Sequence, residues 1–79
     1  MIIYVTVINH RYGDNCYAHK SRESAVKNLA GYCRDNWNNS HIGLKETPIP
    51  NDDRMCIDRY FDAAYYDEHY TTHDVIMED

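Results

Sequence analysis

Residues 2–9, IIYVTVIN, alternate along an extended chain without either side becoming polar. Ile3, Val5 and Val7 fall on one face, and Ile2, Tyr4, Thr6 and Ile8 on the other. A strand that is apolar on both faces belongs at the centre of a sheet, with a neighbour on each side. Seventy-nine residues then leave room for one small domain over 1–79 and for no second core. Every other element has to pair with this strand or cover it.

The chain downstream supplies such elements. Residues 11–15, RYGDN, read as a turn in which Gly13 is free to adopt a positive φ, and Cys16 to His19 then form a second strand closing a hairpin. Ser21 is a good N-cap and Glu23 suits the first turn of a helix running from about Arg22 to Trp37. Val26, Leu29, Cys33 and Trp37 form its apolar stripe, widened by Ala25 and Tyr32. Residues 38–51 contain Pro48 and Pro50 and read as a surface connection. Asn51 or Asp52 can cap a second helix ending near Tyr65, with Ile57, Tyr60, Phe61 and Ala64 inward. Tyr70 to Met77, rich in β-branched residues, reads as a third strand.

The expected architecture is α+β in the order β-β-α-α-β. The third strand lies beside the first in a three-stranded antiparallel sheet, with two helices on one face. The other face stays open, and the expectation is that it bears Ile2, Tyr4, Thr6 and Ile8. So apolar a face marks a dimer or partner contact, unless residues 39–50 fold over it.

Several chemistries find no support. The first residues lack a basic leader and a small-residue cleavage site, and no segment approaches the ~20 apolar residues of a membrane span. Cys16, Cys33 and Cys56 are odd in number and widely spaced, which fits reduced thiols in a cytoplasm. His69 and His73 would meet on a helix, but their Thr- and Val-rich surroundings favour a strand, where they stand about 13 Å apart. No metal or cofactor is therefore expected. His10, Asp14, Cys16 and His19 lack the base and oxyanion donors that a nucleophilic thiol needs. With no Gly-rich phosphate loop, GxSxG motif or paired-carboxylate motif either, the chain does not read as an enzyme. Lys20, Arg22, Lys27 and Arg34 cluster around the first helix, yet the overall charge of −5 opposes direct nucleic-acid binding.

Charge supplies the functional lead. Residues 51–79 hold nine carboxylates against Arg54 and Arg59, a balance of −7, whereas residues 1–50 stand at +2. With the apolar stripe of the second helix turned inward, its outer side presents Asp52, Met55, Asp58, Arg59, Asp62 and Tyr66. Asp67 and Glu68 extend this surface at its end, and Glu78 and Asp79 add charge at the terminus. Met and Tyr ringed by carboxylates are what a patch for a basic protein partner contains. Asp58 and Asp62 lie about 6 Å apart along the helix axis, a spacing comparable to that of nucleic-acid phosphates, which advance ~3.4 Å along a duplex axis. A solvated acidic face that merely keeps the protein soluble is the competing reading.

The YVTVINHRYGDNCYAHKS hairpin, the helix reaching Trp37 and the acidic IDRYFDAAYYDEHY segment give a tiny α+β chain that resembles the small proteins of phages and mobile elements, and among them the anti-CRISPR proteins. The likeness lies in size, acidity and element order. It implies a non-catalytic inhibitor that binds a CRISPR effector complex as a DNA mimic and blocks the basic surface that receives target DNA, including the site that reads the short flanking motif. The alternative is a small phage or bacterial interaction module that dimerises, or binds a protein, through the open sheet face.

Overall fold

The computed structural model describes residues 1–78. Its elements are β1 (Ile2–His10), β2 (Gly13–His19), α1 (Arg22–Asn36), α2 (Asp53–Ala63) and β3 (His69–Ile76). The strands form one antiparallel sheet in the order β2-β1-β3, so the strand with two apolar faces is central. The hairpin is tighter than its sequence suggests. His10 already pairs with Gly13, so β2 begins three residues earlier than expected and Gly13 takes a φ of +134°. That conformation suits glycine.

Both helices begin at the expected caps. The Ser21 hydroxyl accepts from the Ser24 backbone N–H at 3.1 Å, and the Asp52 carboxylate accepts from that of Met55 at 2.8 Å. Each satisfies an amide that a helix start leaves free. From α1, Leu29, Ala30, Cys33 and the capping Trp37 are buried; from α2, Cys56, Ile57, Tyr60 and, just past its end, Ala64. The connection between the helices is not merely a surface strap. Ile42 enters the same core, Leu44 packs against it, and the Trp37 indole N–H donates to the Thr47 carbonyl at 2.8 Å.

The covered face of the sheet is the opposite of the expected one. Ile8 and Thr6 are buried, the latter only 2% exposed, while Ile3, Val5 and Val7 lie on the uncovered side. The flanking strands explain this choice. Thr6 is paired with Tyr17 and Ile8 with Tyr70, and both tyrosines pack against the core. The opposite face offers Cys16, Ala18, Thr71 and His73 at the corresponding positions. Two aromatic rings bury far more apolar area than those four residues, so the helices settle on the tyrosine side. Residues 39–50 do not cover the open face either, because Ile42 and Leu44 join the core on the helix side.

Candidate interaction surfaces

The spacing of Met55, Asp58, Arg59 and Asp62 sets them on one stripe of α2, and all four are exposed. Met55 is 49% and Tyr66 93% exposed. Tyr66 lies beyond the helix end, in the turn that leads to β3, with its ring edge-on to Tyr65 at 5.3 Å. Asp52 contributes its charge next to this stripe while serving as the helix cap.

Much of the acidic surplus of this half is met by cations of the other half. Asp53 pairs with Arg34 at 2.8 Å, Asp74 with Arg22 at 3.2 Å and Asp67 with Arg11 at 3.9 Å. Arg34 also donates to the carbonyls of Pro50 and Asn51, tying α1 to the start of α2, and its hydrogen bond to Asp53 raises the guanidinium pKa further. Asp67 is thus exposed but engaged. Asp79 lies outside the described residues.

Glu68 departs from the expected surface altogether. It is only 4% exposed, and its Oε1 accepts from the Tyr32 hydroxyl at 2.5 Å and the Tyr60 hydroxyl at 2.8 Å. Its Oε2 lies 3.3 Å from Nε2 of His41. The reason is local geometry: the backbone N–H groups of Asp67 and Glu68 both donate to the Ala64 carbonyl, which turns the chain inward before β3 begins. A carboxylate carried into a core must find donors, and here two phenols and an imidazole provide them. Burial, reinforced by the bonds to Glu68, pushes both phenol pKa values well above the ordinary range. Glu68 is therefore a structural carboxylate and not part of an exposed binding patch. An acidic residue between Asp67 and His69 gives no periodic signal of this, since it sits on neither helix nor strand.

The other side chains weighed for chemistry are dispersed. His69 and His73 alternate along β3 on the open face, and four strand residues separate them by about 13 Å. Among the described residues no group of three or more His, Cys, Asp or Glu side chains is placed to hold a metal ion. Cys16 is exposed on the open face and His19 lies on the opposite one, so the two do not meet. Cys33 and Cys56 are buried free thiols whose pKa values burial raises. Among the described residues no helix is long and apolar enough to cross a membrane.

The open sheet face is the second candidate. Ile3, Val5 and Val7 run down its middle, flanked by Cys16 and Ala18 on β2 and by Thr71, His73 and Val75 on β3. Among the described residues, the core built by the helices and their connection packs on the other side of the sheet. Comparisons of the chain with protein-family models, with curated proteins and with solved structures found no match.

Proposed function

We propose that the protein is a non-enzymatic acidic binding protein that docks through the exposed stripe of α2 on a basic surface of a partner protein. The observation that supports this reading is Met55 and Tyr66, left in solvent among Asp52, Asp58 and Asp62. Such side chains are anchors that gain by desolvation, and the carboxylates around them steer a cationic partner. Arg54 and Arg59 share the helix with Asp58 and Asp62, which makes the patch a mixed one that selects orientation as well as charge.

The resemblance in size, acidity and element order directs the proposal to one partner class. A CRISPR effector complex must grip phosphate, so the surface that receives target DNA is basic. Occupying it through α2 would block recognition of the flanking motif in the cytoplasm of a bacterial host. The test combines Asp58→Lys with Asp62→Lys and measures target-DNA cleavage by the purified effector. Loss of inhibition at an unchanged melting temperature supports the proposal. No inhibition by the wild type, or equal inhibition by the double variant, overturns it.

The uncovered Ile3–Val5–Val7 face favours a second reading, an interaction module that self-associates or binds a protein through its sheet. Three strands and eight residues give a projected footprint of roughly 14 by 26 Å, or about 400 Å². This is about half of the ~800 Å² each partner contributes to a standard interface. The face by itself supports a weak association, and sedimentation of the wild type against Val5→Lys measures it.

A further inference from the structure

The apolar stripe of α1 is not covered along its whole length. Leu29, Ala30 and Cys33 are buried, but Ala25 and Val26, one turn earlier, are only half-buried. On β3, Thr72 is exposed, although Thr6, its partner on the same face of the sheet, is only 2% exposed. Both gaps belong to one hollow of about 440 Å³, bounded by the first halves of α1 and α2 and by the β1–β3 pair. Ala25, Val26 and Leu29 form its apolar part from one helix, and Ile57 from the other. A recess of this volume suits a small ligand.

Two arginines and two aspartates line the hollow, and they form two unlike pairs. Arg22 and Asp74 are already engaged. The guanidinium lies 3.2 Å from the Asp74 carboxylate and 5.5 Å from the centre of the Tyr4 ring. Arg54 and Asp58 stand one turn apart on α2, and among the described residues neither makes an ion pair. Their order explains why they do not meet. A cation placed N-terminal to an anion is the weaker arrangement at this spacing, because helical side chains lean toward the N-terminus and the arginine leans away. The hollow therefore offers one open positive group and one open negative group beside an apolar recess.

We infer that the hollow binds a small zwitterion with an apolar side chain, the chemistry of a free α-amino acid such as leucine or phenylalanine. The ligand carboxylate pairs with Arg54 and its ammonium with Asp58. Its side chain enters between Val26, Leu29 and Ile57. Charge decides against simpler ligands. The two arginines and two aspartates of the hollow cancel, whereas the whole chain stands at −5. A lone anion is repelled by that surplus and leaves Asp58 without a partner, and a lone cation leaves Arg54 without one. Binding withdraws both groups from water, so a ligand that answers only one of them leaves a costly unpaired charge. A zwitterion answers both and adds no net charge. The site goes beyond the α2 stripe of the proposed function: Arg54 and Asp58 border both, but Met55, Arg59, Asp62 and Tyr66 do not line the hollow.

The probes are L-leucine and L-phenylalanine, titrated into the full 15N-labelled chain with no other protein present, so the outcome is independent of any effector. Saturable one-to-one shifts at Ala25, Val26, Ile57, Asp58 and Thr72 are the expected result for at least one of them. Its carboxamide, which lacks the carboxylate, and its N-acetyl form, which lacks the ammonium, bind at least tenfold more weakly. In Arg54→Gln the discrimination against the carboxamide falls to within twofold, and in Asp58→Asn so does that against the N-acetyl form. Lys27→Gln, which removes a cation from the exposed side of α1, leaves affinity and discrimination within twofold. No saturable shift with either amino acid, shifts centred on the open face or the outer stripe, equal binding of the two blocked forms, or discrimination that survives both α2 variants would each overturn the inference.

Discussion

The hydroxyl of Tyr60 donates to Oε1 of Glu68 at 2.8 Å across the turn that joins α2 to β3. Because the Tyr32 hydroxyl on α1 donates to the same oxygen, one carboxylate links both helices to the first residues of the outer strand. Truncating it would leave the buried phenol of Tyr60, the half-buried phenol of Tyr32 and one imidazole without their acceptor. Glu68→Ala should cost about 2–4 kcal/mol, and Glu68→Gln less, since its amide oxygen still accepts. For a domain of this size, each kcal/mol lowers the melting temperature by roughly 4–8 °C. A Glu68→Ala melt within 2 °C of wild type would show that the linkage contributes little.

Alkaline pH provides a second measurement. Burial raises the pKa values of Tyr32, Tyr60, Cys33 and Cys56 in the fold, while in the unfolded chain the thiols titrate near 9 and the phenols near 10. A raised folded pKa means that the native state holds its protons longer than the unfolded state. The associated stability is complete below pH 9 and is lost as the pH climbs through the thiol and then the phenol range. Urea midpoints should be level from pH 7 to 8.5 and fall steadily from pH 9 to 11. A profile flat to pH 11 would contradict the burial of these four groups.

Adjacent positions on β1 should respond in opposite ways to the same charge. Thr6→Lys forces a long cationic side chain into a position only 2% exposed beneath the helices and should lower the melting temperature strongly. Val5→Lys directs its charge into solvent on the open face and should cost about 1 kcal/mol or less. Circular dichroism melts of the two variants decide which face is covered.

The connection between the helices should prove structural. Ile42→Ala removes a buried side chain from the cluster that contains Trp37, at an expected cost of about 2–4 kcal/mol. Trp37→Phe additionally leaves the Thr47 carbonyl without its indole donor. Denaturant midpoints that barely move in Ile42→Ala would return this segment to the status of a surface loop.

Local pattern in the sequence determined the five elements, their order and most of the inward positions. A cap or an apolar stripe acts over three to seven residues and is therefore legible in one dimension: Ser21 and Asp52 start their helices, and Leu29, Cys33, Trp37, Ile57, Tyr60 and Ala64 reach the core. The central place of β1 followed from its two apolar faces. Which of those faces the helices cover did not follow, because β1 itself is almost indifferent. Tyr17 and Tyr70 made the choice, and their influence depends on strand register. Only the tertiary structure brought Arg11, Arg22 and Arg34 to the acidic half and turned Glu68 inward to three donors from distant segments. Charge along a chain is additive, but the field at a surface depends on which charges meet, and the three arginine–aspartate pairs span 19 to 56 residues of sequence. The acidic patch thereby contracted to the outer stripe of α2.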